Sequence, residues 1–196
     1  MLKYAKSLGR NHAVAMALWS TGWYEARMMA SYLSEPARMT STQMDQWCND
    51  FDSWAICDTV CWHAFERSPH AWEKITKWSR LPGEFQKRTS VALLATMALH
   101  IKTINDNEFA EMLPLVERVA QDERNFVSKG TNWALRAIGL RSESLRHDAR
   151  EFAGILSQSP NARTRWVGKD ALKKLATSIG IEYQKNSVRM SPLTPS

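Results

Sequence analysis

Apolar residues recur at three- and four-residue intervals along most of the chain, and no stretch alternates apolar and polar positions between hairpin turns. The pattern predicts helices over 10–19, 22–34, 42–50, 53–66, 70–79, 84–101, 107–121, 124–139, 142–157 and 160–177. Several breaks carry recognisable chemistry. Ser68-Pro69 and Ser159-Pro160 read as an N-cap followed by proline at the first helical position, and Leu81-Pro82-Gly83 reads as a loop. From about Tyr183 the periodicity lapses, and Ser191-Pro192 and Thr194-Pro195 predict a disordered tail over 183–196. That leaves 1–182 as a single helical domain.

Helix pairs start near 53, 84, 124 and 160, at spacings of 31, 40 and 36 residues. Irregular two-helix units of this size predict an all-α, HEAT-like (ARM/HEAT) α-α superhelical solenoid, with an ordinary helical bundle as the alternative. A solenoid has a concave face built from one helix of each pair, the natural seat of an extended ligand. Composition agrees: Gly (8) and Pro (7) are scarce, which favours helices. A 44% hydrophobic content excludes a disordered chain, a collagen-like chain and a disulfide scaffold. No apolar run reaches membrane-spanning length, and Met1–Lys6 lacks the apolar segment of a secretion signal. Three cysteines, an odd number, fit a reducing cytoplasm, where a monomer is expected.

Charge changes the picture. Residues 1–123 balance at −2, whereas 124–196 carry +8. A basic C-terminal third on a near-neutral body points to a polyanionic partner; a solvated basic face without a partner is the alternative. Laid out at 100° per residue, helix 53–66 puts Ile56, Val60 and Ala64 in one stripe. Trp54 and Asp58 lie nearly opposite, within about 40° of each other. Cys61 and Phe65 share that side, so the separation is incomplete. Helix 124–139 has a core stripe of Val127, Ala134 and Ile138, with Lys129, Trp133 and Arg136 opposite. In helix 84–101, Arg88 shares a face with Ala92 and Ala95, small residues beside which a bulky partner could approach the backbone. Helix 160–177 carries Arg165, Lys169 and Lys173 at four-residue steps, extended by Arg163 and Lys174, a stripe suited to a phosphate backbone.

Each feature has a plainer reading: Trp54 as core, Asp58 as a surface carboxylate, Arg88 as structural, the basic stripe as a solvated face. The remaining tryptophans (19, 23, 47, 62, 72, 78 and 166) are assigned to packing between helices. Cys57, Cys61 and His63 lack usual zinc spacing and read as free thiols near a histidine. Gly-rich phosphate loops and the CxxC, HExxH and nucleophile-elbow motifs are absent from the sequence, and neither a metal nor another cofactor is expected.

Three segments together resemble one family. Ser53-Trp54-Ala55-Ile56-Cys57-Asp58-Thr59-Val60-Cys61 resembles the WxxxD segment of the AlkD-like DNA alkylation repair glycosylases. Phe85-Gln86-Lys87-Arg88-Thr89-Ser90-Val91-Ala92-Leu93-Leu94 resembles the family's arginine-bearing helix. Ser128-Lys129-Gly130-Thr131-Asn132-Trp133-Ala134-Leu135-Arg136 resembles its KxxxWxLR helix. The likeness runs from about residue 10 to about residue 177, and the order and spacing of the segments make it specific. It implies HEAT-like repeats around duplex DNA and hydrolysis of the N-glycosidic bond of positively charged N3- and N7-alkylpurines. It implies Trp54 and Trp133 as aromatic walls, Asp58 as the catalytic carboxylate and Arg88 as a clamp on the lesion strand. Lys129, Arg136, Arg163, Arg165, Lys169 and Lys173 are the expected DNA contacts. Family members usually carry further helices before the point of match, so the DNA-facing wall is expected to be short at the N-terminal side. A non-catalytic DNA-binding relative and a protein-interaction scaffold are the alternative functions.

Overall fold

The computed structural model describes residues 1–176, which form helices and no strand. The expected tail over 183–196 lies outside the described residues. Two rows of helices pack against each other. The inner row contains α5 (Trp54–Val60), α7 (Glu84–His100), α10 (Asn125–Gly139) and α12 (Ala162–Ala176). Its members run parallel: α5 meets α7 at Asp58–Arg88, α7 meets α10 at Arg88–Phe126, and the Asn132 amide of α10 donates to the Val167 carbonyl of α12. The outer row contains α2 (His12–Ser20), α4 (Ser41–Asn49), α6 (Ala71–Trp78), α9 (Leu113–Ala120) and α11 (Glu143–Ser157). Trp19 stacks on Trp47 between α2 and α4, with centroids 3.9 Å apart. Asp45 of α4 accepts from Lys74, Lys77 and Trp78 around α6. The alternation of rows is that of a solenoid, and the inner-row starts fall close to the predicted 53, 84, 124 and 160.

Helix α7 is central. Every residue from Arg88 to Ala98 is buried. Its polar members cost little because their hydroxyls stay inside the helix: Thr89 donates to Phe85, Ser90 to Lys87 and Thr96 to Leu93. The small-residue face expected to admit an outside partner is therefore filled from within. Gly130 of α10 closes on that side, and a Cβ there would stand 3.0 Å from Val91 and 3.5 Å from Arg88. A second close approach joins α11 and α12, where a Cβ on Gly168 would meet the Ser157 backbone nitrogen at 2.3 Å.

The remaining differences from the sequence reading have local causes. An additional helix, α1 (Leu2–Leu8), precedes the first predicted one, and α3 (Tyr24–Leu33) starts two residues late. The helix predicted over 107–121 is split into α8 (Asp106–Ala110) and α9, with Pro114 in the first turn of α9, where a missing N–H costs nothing. The α12 cap is Asn161 rather than Ser159: its side chain accepts from the backbone nitrogens of Arg163 and Thr164. Ser68 likewise does not cap α6, which starts three residues later; the Ser68 hydroxyl accepts from the His70 nitrogen.

Most consequential, the helix predicted over 53–66 changes character at Val60 and continues as a π-turn over Cys61–Phe65. Its signature is the Glu66 nitrogen donating to the Cys61 carbonyl, five residues back. The extra residue turns the helix phase back by roughly 100°. Cys61 and Phe65, which a regular helix would put beside Trp54, swing into the core, and both are fully buried. Trp62 stays exposed.

Candidate functional site

Ser53 caps α5, its hydroxyl accepting from the Ala55 nitrogen, so Trp54 is the first helical residue and projects from the helix start. Trp54 is 52% exposed. Asp58 follows one turn later. Arg88 rises from the first turns of α7 and meets it: Nε donates to Asp58 Oδ1 at 3.0 Å and Nη2 to Oδ2 at 2.6 Å. This is a bidentate pair, the strongest geometry available to the two groups. The third guanidinium nitrogen, Nη1, donates to the Phe126 carbonyl at 2.7 Å. The guanidinium also stands 6.0 Å from the centre of the Trp54 ring.

Neighbouring contacts hold this arrangement. Phe85 stacks on Phe126, with centroids 5.7 Å apart, and the Phe126 nitrogen donates to Glu84. Asp122 accepts from both Lys87 and Arg124, and Arg124 also donates to the Pro82 carbonyl. The starts of α7 and α10 are thus tied together beside Arg88. The hydrogen bonds from Arg124, working against burial, hold the Asp122 carboxyl well below the usual range.

Arg88 is 7% exposed at the side chain and Asp58 22%. Burial pushes the Asp58 carboxyl above its ordinary range, against the pull of Arg88. The arginine expected to clamp a DNA strand has its three bonding nitrogens turned inward. What the geometry lets it do is orient Asp58 and favour its ionised form. The carboxylate, still 22% exposed, lies one helical turn from an exposed indole, which suits it to a cation or a developing positive charge.

Trp54, Asp58 and Arg88 are therefore brought together. Trp133 is half-buried against the core and lies outside their hydrogen-bonded cluster. It is seven residues along α10 from Phe126, roughly 10 Å toward the C-terminal end. Lys129 is exposed beside it, and Arg136 is half-buried with an Nε that finds no acceptor among the described residues. On α12, Arg163, Lys169 and Lys173 are exposed. Arg165 is half-buried and donates to the Ser159 and Pro160 carbonyls, so it closes the helix start. The cysteines sit in the core; Cys57 and Cys61 both pack on Thr89.

Two features escaped the sequence reading. The Phe126 carbonyl, a main-chain group, has no residue signature. Trp62 was assigned to packing, but it is 50% exposed, as Trp23 (73%) and Trp166 (39%) also are. For Trp62 the signal was in the spacing: it stands four residues beyond Asp58 and eight beyond Trp54, on the side away from Ile56 and Val60.

Comparisons with known proteins agree with this fold. The model of a family described as DNA alkylation repair enzyme matches residues 1–175. A solved structure described as a new family of proteins related to the HEAT-like repeat DNA glycosylases, with affinity for branched DNA structures, matches with a TM-score of 0.71. Identity is 18%, over 86% of this chain and 77% of that one, so the likeness is one of fold. Comparison with curated proteins finds no match.

Proposed function

Because the chain belongs to the DNA alkylation repair enzyme family, we propose that it is a DNA glycosylase hydrolysing the N-glycosidic bond of positively charged N3- or N7-alkylpurines in duplex DNA. The observation that carries this reading is the Asp58 carboxylate, pinned on both oxygens by a buried arginine one turn from an exposed indole. An N-alkylated purine is a cation and already a good leaving group. Trp54 attracts it through its ring face, worth roughly 0.5–2 kcal/mol depending on desolvation. As the bond to N9 breaks, positive charge builds on the sugar and the purine departs neutral. Asp58 stabilises that charge and orients the attacking water, whose oxygen bonds to C1′ as its proton passes to the surrounding solvent. Arg88 acts as a positioning residue for Asp58. Trp133 forms the second aromatic wall.

Lys129, Arg136, Arg163, Lys169 and Lys173 serve the phosphates. Arg136 supports this role through its buried nitrogen without an acceptor among the described residues. Binding through such contacts is strongly salt-dependent, each phosphate neutralised adding about −0.9 to the slope of log K against log salt.

The test is release of 7-methylguanine from methylated duplex DNA, with wild type beside Asp58→Asn. Asn keeps the size of the side chain and one acceptor for Arg88. Release in wild type and loss in the variant, with DNA binding retained, is the expected result. Full release by Asp58→Asn would remove Asp58 from the chemistry. Salt-sensitive DNA binding without any release would favour a second reading, a binding-only relative. That reading draws support from the solved neighbour described as having affinity for branched DNA structures.

A further inference from the structure

The helix that carries Trp54 and Asp58 exposes a second aromatic group, Trp62, that the proposed chemistry leaves unused. Trp62 stacks on His100 at the end of α7, centroids 4.6 Å apart and planes within 20°. It also lies parallel to the His63 ring at 5.3 Å. His100 is held in turn: its Nδ1 stands 2.7 Å from Glu66 Oε2, and the Glu66 side chain is 3% exposed. His63 is fixed by the edge of Tyr32 at 4.7 Å. Half of the Trp62 surface nevertheless remains open.

A lone exposed apolar residue needs no explanation. A braced one is different. Two imidazoles and a buried carboxylate hold this indole in one orientation, so the ordering cost of stacking a ligand on it is already met. The charges nearby suit a polyanion. Lys6 and Arg10 act on His63, and Arg67, 59% exposed, lies 3.7 Å from Glu66.

Helical spacing also sets the direction. Four residues beyond Asp58 and eight beyond Trp54, Trp62 falls on the same side of the helix as both. It lies eight residues beyond Trp54, roughly 12 Å along the axis. Successive nucleotides of one strand are about 3.4 Å apart, so the spacing corresponds to roughly three nucleotides. Every base has a π-face, whereas a paired and stacked base cannot offer it to a protein.

We propose that Trp62, with His100 as its positioning residue, is a stacking platform for an unpaired nucleobase of bound DNA, roughly three nucleotides from the base engaged at Trp54 and Asp58. This rests on the DNA-directed reading above and extends it to a substrate feature, a short unpaired stretch beside the lesion site.

The test is fluorescence anisotropy with two labelled DNAs, a fully paired duplex and the same duplex with three unpaired nucleotides. The proteins are wild type, Trp62→Ala, Trp62→Phe, His100→Ala and His100→Phe. Wild type is expected to prefer the DNA with the unpaired stretch. Trp62→Ala is expected to lose about five- to a hundredfold affinity for it, the range for one base–aromatic stack, with paired-duplex binding unchanged. Trp62→Phe keeps most of the preference; His100→Ala loses part of it and His100→Phe restores it. A preference that survives Trp62→Ala overturns the proposal, as does a wild type that binds both DNAs equally, and either leaves the glycosylase reading standing. A folded wild type that binds neither DNA overturns both.

Discussion

The pair Asp58–Arg88 makes a quantitative prediction independent of any DNA chemistry. Arg88 is nearly enclosed and spends three nitrogens on two partners. Replacing Asp58 with Ala leaves that guanidinium buried with only the Phe126 carbonyl. Breaking a buried pair from one side costs about 3–5 kcal/mol. Asp58 is 22% exposed, so solvent relieves part of the cost and the lower end applies, about 3 kcal/mol. Arg88→Met strands the carboxylate and the Phe126 carbonyl, at a similar cost of about 3 kcal/mol. The double variant removes both charges, and its cost is expected near about 3–4 kcal/mol rather than the sum, a coupling of about 2–3 kcal/mol. The assay is urea denaturation followed by far-ultraviolet circular dichroism. In thermal melts each single variant loses about 6–12 °C, at 2–4 °C per kcal/mol for a domain of this size. The pair Arg146–Glu143, whose carboxylate is 86% exposed and so well solvated, serves as the control, with coupling below about 0.5 kcal/mol. Single effects that add within about 0.5 kcal/mol would refute the claim that Arg88 exists to hold Asp58.

Three further outcomes are expected. Burial, with Arg10, His100 and Lys6 nearby, pushes the His63 imidazole down to about 4. The unfolded chain titrates near 6.5, so it binds the proton first, and stability present above pH 6.5 falls as pH drops toward 4, by about 3 kcal/mol for the full shift and about 2 kcal/mol after solvent screening of the partly exposed ring. His63→Phe should flatten that part of the stability profile measured between pH 7 and 4. Gly168→Ala drives a Cβ into the Ser157 backbone, which has no side-chain end to move aside, and should cost about 3 kcal/mol in denaturant titration. A loss below about 0.5 kcal/mol would mean that α11 and α12 pack less tightly. Both ring nitrogens of buried His12 are without a partner among the described residues. His12→Leu should therefore leave the melting temperature unchanged or raise it, and a fall of more than about 5 °C would expose a hidden role for the imidazole.

Much of this architecture was legible in local periodicity. Helix stripes such as Val127, Ala134 and Ile138 are written into spacing and are buried as that spacing requires. The charge asymmetry, the starts of the inner-row helices, and the outward placement of Trp54 and Asp58 follow from the same local arithmetic. Other features belong to tertiary structure alone. Arg88 looked free to meet an outside partner because its neighbours on that helix face, Ala92 and Ala95, are small. It is buried because Gly130 lets α10 close over it, and its bonding partners lie 30 and 38 residues away in sequence. Cys61 and Phe65, which a regular helix would set beside Trp54, are fully buried because a π-turn forms over Cys61–Phe65. The sequence by itself determined which residues are helical and which faces carry apolar or charged groups, because those depend on neighbours three and four positions apart. Which side chains meet across helices, and which are left facing solvent, was decided only when α5, α7 and α10 packed together, because close packing selects one partner among many chemically equal ones.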